Sequence, residues 1–153
     1  MQNKDHLPRG IQLLRGFARL NNNLTRFAQK TASMNDLSVP QYIILITIAP
    51  QKEMTQKVVG EKTFLPKSTL SQAVDGLVQA GLLYRKQVEE NRREMLLSLS
   101  NHGEELLSNI HRQEGSIHQV AESAVQSLSE QQFEDFMATL QQMAVFFEDQ
   151  PTE

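Results

Sequence analysis

The chain has 153 residues, 39% of them hydrophobic, which is enough to build one core without covalent staples. It contains no cysteine, so disulfides, thiolate metal ligands, cysteine nucleophiles and thiol redox switches are excluded. The longest apolar run, Tyr42 to Ala49, is far short of a membrane span, and no leader-like segment opens the sequence; the expectation is a cytoplasmic chain without a membrane partner.

The formal net charge of −3 conceals an uneven distribution. Residues 1–37 carry six basic residues (Lys4, Arg9, Arg15, Arg19, Arg26, Lys30) against Asp5 and Asp36, a local charge of +4. Residues 55–87 carry five (Lys57, Lys62, Lys67, Arg85, Lys86) against Glu61 and Asp75, a local charge of +3. Beyond His102, Arg112 alone faces ten acids, a local charge of −9. Such a split suits a protein that turns one face to a polyanion and keeps the other away from it, although uneven surface solvation produces the same pattern.

Apolar residues at Ile11, Leu14, Phe17, Ala18, Leu24, Phe27 and Ala28 recur at helical spacing and predict a first helix from about Leu7 to Ser33. Ser38 with Gln41 has capping-box spacing and Pro40 suits the first turn, so a second, largely buried helix covers Tyr42 to Ala49 and stops at Pro50. Thr55 caps a short third helix to Lys62. Thr63, Phe64 and Leu65 then interrupt the pattern, and Pro66 opens a fourth helix to Ala80. Leu70, Val74 and Leu77 share one face of it, leaving Lys67, Ser68, Ser71, Gln72 and Asp75 on the other.

Gly81 stops that helix, and strand character follows at Leu82 to Gln87 and again at Met95 to Leu99. The charged connection Glu89, Glu90, Asn91, Arg92, Arg93 makes these two strands a hairpin with a basic tip. Ser100 caps the next helix, which extends to about Gln126 along Leu106, Leu107, Ile110, Ile117, Val120, Ala121, Ala124 and Val125, a stripe interrupted by Gly115. Ser129 and Gln132 form another capping box before an amphipathic last helix carrying Phe133, Phe136, Met137, Leu140, Met143, Ala144 and Phe147.

Helix, tight turn, helix and hairpin in this order make a winged helix-turn-helix. The second helix of such a unit offers short polar groups to base edges while its apolar side packs on the first. Gln72 has the amide for bidentate pairing with adenine. Ser68, Thr69 and Ser71 can reach bases or phosphates, and Lys67 phosphate or guanine. Lys57 and Arg92 offer charge to the backbone or minor groove. The candidate DNA contacts are thus Gln56, Lys57, Lys67, Ser68, Thr69, Ser71, Gln72, Arg85, Arg92 and Arg93.

The stretch from Thr55-Gln56-Lys57 through Lys67-Ser68-Thr69-Leu70-Ser71 to Val74-Asp75-Gly76-Leu77 and Gly81-Leu82-Leu83 resembles the MarR family. So does the wing, where Asn91-Arg92-Arg93 and then Leu97-Ser98-Leu99-Ser100-Asn101-His102-Gly103 follow the family's Asp-x-Arg and Leu-Thr-x-x-Gly signatures. The resemblance is effectively ungapped from Ser38 to Leu107. It implies a mainly α fold with a small β-hairpin wing, a single domain over 1–153, in which 38–100 form the DNA-binding lobe and helices in 1–37 and 101–153 join two copies into a homodimer on a pseudo-palindromic operator. It also implies a transcriptional regulator, a repressor released by a small molecule, and an Asp75–Arg93 ion pair supporting the wing. Phe64 departs from the family's usual glycine in the turn, Pro66 from a capping Asp or Ser, Gln72 from a common arginine, and Asn91 from Asp.

A small aromatic or anionic effector is expected where the first, second and fifth helices meet, beside Arg15, Phe17, Arg19, Tyr42, Ile46 and His111, which combine apolar walls with a few polar groups; completion of the dimer core is the rival explanation. His102, His111 and His118 lack the spacing of a metal motif, and no nucleophile elbow or phosphate loop is present, so no metal, cofactor or catalytic activity is expected. The apolar stripe of the last helix fits a dimer or internal core better than a cofactor pocket. The alternative function is a helical protein-interaction module that has lost DNA binding.

Overall fold

The computed structural model describes residues 7–153. Residues 1–6 of the N-terminal segment 1–37, with Lys4 and Asp5 of its charge pattern, lie outside the described residues. The fold is mainly α-helical with a small hairpin wing: α1 (Arg9–Met34), α2 (Val39–Ile48), β1 (Glu53–Thr55), α3 (Gln56–Thr63), α4 (Lys67–Gln79), β2 (Leu83–Val88), β3 (Asn91–Leu99), α5 (Asn101–Arg112), α6 (Ile117–Gln126) and α7 (Glu130–Glu148).

Local sequence sets most helix starts. Ser38 Oγ accepts from Gln41 N while Gln41 Oε1 accepts from Ser38 N, the reciprocal box that fixes the entry into α2. Ser129 and Gln132 do the same for α7. Thr55, Ser100 and Ser116 cap α3, α5 and α6 through Val58 N, Gly103 N and Gln119 N. Each such cap is worth about 1 kcal/mol, which matters for helices of only two or three turns.

The core lies in the lobe built by α2, α3, α4, the sheet and the inner face of α5. Tyr42, Ile44, Leu45 and Ile48 of α2 meet Val59, Val74 and Leu77 of the helix pair, Leu83 and Leu97 of the wing base, and Leu107 and Ile110 of α5. At roughly 1.5–3 kcal/mol for each fully buried aliphatic side chain, this cluster is the main source of the fold's stability. By contrast α6 and α7 bury no residue completely, and α1 buries only Thr31 and Ala32.

Three features differ from the sequence expectation. First, the sheet has three strands, in the order β1-β3-β2, because Glu53, Met54 and Thr55 pair with Ser98, Leu97 and Leu96. Second, β3 starts at Asn91, so the wing tip is Glu89-Glu90 and Arg92 and Arg93 are strand residues beside it. Third, the helix expected from Ser100 to Gln126 is two helices. Gln113 leaves the helix in an extended conformation and Gly115 takes φ +78°, a left-handed geometry that a side chain would strain. The break is pinned to α1, where Thr31 Oγ1 accepts from Ile117 N at 2.9 Å and Asn35 Nδ2 donates to Gln113 Oε1 at 2.8 Å.

The wing is anchored at its base. Ser100 Oγ donates to the Gly81 carbonyl at 2.6 Å and accepts from Gly103 N at 3.0 Å, tying the end of β3 and the start of α5 to the turn after α4. Gly103 is required there because a Cβ would run into the Leu82 carbonyl oxygen.

Candidate nucleic-acid interface

α3 and α4 meet across a turn whose residues have defined jobs. Phe64 caps α3 in the left-handed region at φ 55°, Leu65 is half-buried, and Pro66 sets the extended residue from which α4 departs. On the inner side of α4, Leu70, Ala73, Val74 and Leu77 are buried. On the outer side Lys67, Ser68 and Gln72 are exposed, and Thr69 and Ser71 are partly so.

A groove of about 620 Å³ opens between α3, the first turn and a half of α4, and β3. Gln56 and Lys57 line it from α3, Lys67 and Ser71 from α4, and Arg93 from the wing. Five of the ten residues singled out from sequence are therefore brought to one concave surface, and three positive charges converge on it with Glu61 and Glu94 as the acids present. Ser68 and Gln72 lie on the exposed part of α4 next to that surface, and Arg92 is exposed on the flanking strand. The arrangement can take a polyanionic rod, with hydrogen-bonding amide and hydroxyl groups between the cations.

The ion pair expected between Asp75 and Arg93 is not formed. Asp75 Oδ1 instead accepts from Arg85 Nη1 at 2.6 Å. The sheet order explains the change: β2 is the strand that packs against α4, while β3 lies one strand further in and its start faces α3. Arg85 stands on β2 opposite Leu97, within reach of the middle of α4, whereas Arg93 reaches the groove. Arg93 N donates to Asn91 Oδ1 at 3.1 Å, so Asn91 shapes the tip through its own backbone.

The residues expected around an effector do not form one pocket. Phe17 belongs to an apolar groove of about 250 Å³ between α1 and α7, with Leu13, Leu14, Leu140, Met143, Ala144 and Phe147. Arg15 and Arg19 are exposed on α1, because the turn that faces the lobe is the later one at Thr31 and Ala32. Tyr42 and His111 do come together, through a residue that sequence reasoning had treated only as a stray histidine. Tyr42 Oη and His118 Nε2 are 2.6 Å apart, and the His118 and His111 rings meet edge to face with centroids 4.1 Å apart. Ile46 is partly buried and packs on the core nearby in α2. An open cleft of about 460 Å³ runs along His111, His118, Gln119, Ala121, Glu122 and Val125.

Burial pushes the Tyr42 hydroxyl up to about 12. Burial, and then the neighbouring His111, hold His118 below the ordinary histidine value. The pair is thus a neutral hydrogen-bonded unit. The break at Gly115 is the signal that could have found it, since folding the chain back there sets His118 beside His111. No group of three or more His, Cys, Asp or Glu residues among the described residues is placed to hold a metal ion, and no helix there is long and apolar enough to cross a membrane.

Comparison with known proteins gives a consistent picture. Residues 35–94, which hold all of the groove's lining but Met95, match the model of the MarR family. A relative from Bacillus subtilis (strain 168), an organic hydroperoxide resistance transcriptional regulator, is 30% identical over 104 residues, which are 67% of this chain and 71% of that protein. Among solved structures, a mutant MarR from E. coli complexed with operator DNA superimposes with a TM-score of 0.71, at 18% identity over 92% of this chain and 99% of that one. AbsC, a MarR family transcriptional regulator from Streptomyces coelicolor, gives 0.73 at 23% identity, over 94% of this chain and 98% of the other. Those two likenesses are of fold.

Proposed function

This chain belongs to the MarR family of winged helix-turn-helix transcriptional regulators, and on that footing we propose that it is a homodimeric repressor that binds a pseudo-palindromic operator and releases it when a small molecule is bound. The observation that carries the DNA-binding part is the groove in which Gln56, Lys57, Lys67, Ser71 and Arg93 converge beside the exposed Ser68 and Gln72. Cations in that groove fix the protein on phosphates, and the amides and hydroxyls of α4 read base edges in the major groove, with the wing following the adjacent minor groove.

The dimer reading is supported by the apolar faces that α1 and α7 leave uncovered. Leu14, Leu20, Phe136, Phe146 and Phe147 are each exposed by 47% or more, and α7 has no extensive packing on any other element of its own chain. Contiguous apolar surface of this kind in a regulator marks a protein interface. We therefore assign helices in 1–37 and 101–153 to dimerisation and 38–100 to DNA binding. A two-fold dimer places its half-sites about one helical turn, roughly 10 base pairs, apart.

For the effector, the cleft at His111 and His118, backed by the Tyr42 hydroxyl, offers hydrogen-bonding groups beside apolar Ala121 and Val125, with Glu122 as the acid on its wall, which supports a small aromatic ligand, a phenol or an acid held by the histidines. Such a ligand can release DNA only by favouring the conformation that binds DNA poorly, so DNA must weaken its affinity by the same factor.

The test is a gel-shift series with the full chain on genomic fragments against random duplex at controlled salt, followed by titration of aromatic acids into the complex. Preference for particular fragments supports the reading; equal binding to all duplexes, or none, leaves the protein-interaction alternative. Aromatic acids that leave DNA affinity unchanged would remove the effector assignment.

A further inference from the structure

Phe64 combines two features that cost free energy in the isolated protein. Its backbone sits at φ 55°, a conformation that a residue with a Cβ adopts at a penalty of about 1–2 kcal/mol and that glycine adopts freely. Its ring is 89% exposed, the greatest exposure among the large hydrophobic side chains of the described residues. Neither packing nor the turn itself explains an aromatic ring there. Strain of this kind in a residue that contributes nothing to the core points to a role outside it.

The position indicates the role. Lys57 and Glu61 of α3 and Leu65, the residue after Phe64, all line the groove proposed to hold DNA, so the turn that carries Phe64 forms part of the rim of that groove. Lys57, Lys62 and Lys67 surround Phe64 along the chain, a setting that draws phosphate toward the ring. A phenyl ring cannot bind a phosphate or pair with a base edge. Of the groups that the major groove presents, the one it can recognise is the thymine C5 methyl.

We propose that Phe64 is a specificity-determining residue that packs against a thymine methyl at the edge of the major groove, and so selects thymine at one position of each half-site. This inference rests on the DNA-binding reading above. It differs from amide and hydroxyl readout by α4 in needing only an apolar surface, so the contact is blind to hydrogen-bond polarity and sensitive to a single methyl group.

The experiment uses duplexes selected from a random library by the full-length protein, with each thymine replaced singly by uracil, which removes the methyl and leaves base pairing intact. The parent should lose about four-fold in affinity at one symmetry-related thymine, the effect of exposing one methyl group. Phe64→Asn, which tolerates the left-handed backbone, should melt at or above the parent's temperature and bind thymine and uracil duplexes equally at that position. A variant that retains the methyl preference, or one that unfolds because the ring was needed for packing, overturns the proposal. If no duplex is enriched at all, the DNA-binding reading falls first and this inference with it.

Discussion

The carboxylate of Asp75 in α4 accepts a hydrogen bond from the guanidinium of Arg85 in β2 at 2.6 Å, and this is the one side-chain ion pair between the helix and the wing among the described residues. Asp75 is 63% exposed and the Arg85 side chain 32%, so the pair should contribute only about 0–1 kcal/mol to folding. Its effect should fall on DNA affinity, because it fixes the angle between β2 and α4. In a double-mutant cycle on operator binding, Asp75→Ala and Arg85→Ala should be non-additive, while Asp75→Ala with Arg93→Ala should be additive. Coupling of Asp75 to Arg93 and not to Arg85 would contradict the geometry.

Base reading and charge should separate. Gln72 is exposed on α4, and its replacement by Ala should cost about 1–3 kcal/mol on the preferred site and relax preference at one position. Arg92→Ala should weaken specific and random duplexes alike and reduce the slope of log K against log salt by about one. Equal losses on specific and random DNA for Gln72→Ala would remove it from the reading set.

Subunit association should fail without α7. Truncation after Leu128 removes Phe133, Phe136, Phe146 and Phe147, each at least 36% exposed, and takes away the α7 side of the groove at Phe17. Sedimentation should show monomer or aggregate, with operator affinity lost alongside. A truncated chain that remains a dimer and binds DNA normally would assign the interface elsewhere.

Stability should fall at both ends of the pH range through the Tyr42–His118 pair. His118 is held below its ordinary value of 6.5 in the folded chain, so the unfolded chain takes up the proton first and stability drops as pH falls from 6.5 through the folded value. Tyr42 is raised from 10 to about 12, so its stabilising share is complete below pH 10 and is lost as pH rises toward 12. Melting curves should show both limbs. His118→Gln should flatten the acid limb; an acid limb unchanged by that substitution would place the sensitive group elsewhere.

The sequence showed the lobe well because its signals are local. Ser38 with Gln41, Thr55, Pro66, Ser100 and Ser129 with Gln132 announce helix starts, and the apolar spacing of Leu70, Val74 and Leu77 announces the buried face of α4. What it did not show depends on neighbours distant along the chain. Three residues, Glu53 to Thr55, become a strand only because β3 lies beside them. The partner of Asp75 is decided by which strand packs on α4, and both Arg85 and Arg93 carry the right charge. The effector residues scattered for the same reason: helical periodicity puts Phe17 and Tyr42 on apolar faces without saying that one looks toward α7 and the other toward His118.

The clamp that holds α1 to the break between α5 and α6 joins positions 86 residues apart, Thr31 and Ile117. At a synthesis rate of about 5–20 residues per second, roughly 4–17 s pass between the appearance of the two partners. Through the later part of that interval the apolar side of α1 is clear of the ribosome with nothing from the C-terminal third to cover it. The lobe from α2 to β3 emerges in the meantime with nearly all of its own core, so a nascent chain should carry an assembled DNA-reading unit on an unclasped first helix. That interval is when a chaperone would find its substrate and when, if the proposed homodimer forms, two chains growing on one message would meet through α1 before either is finished.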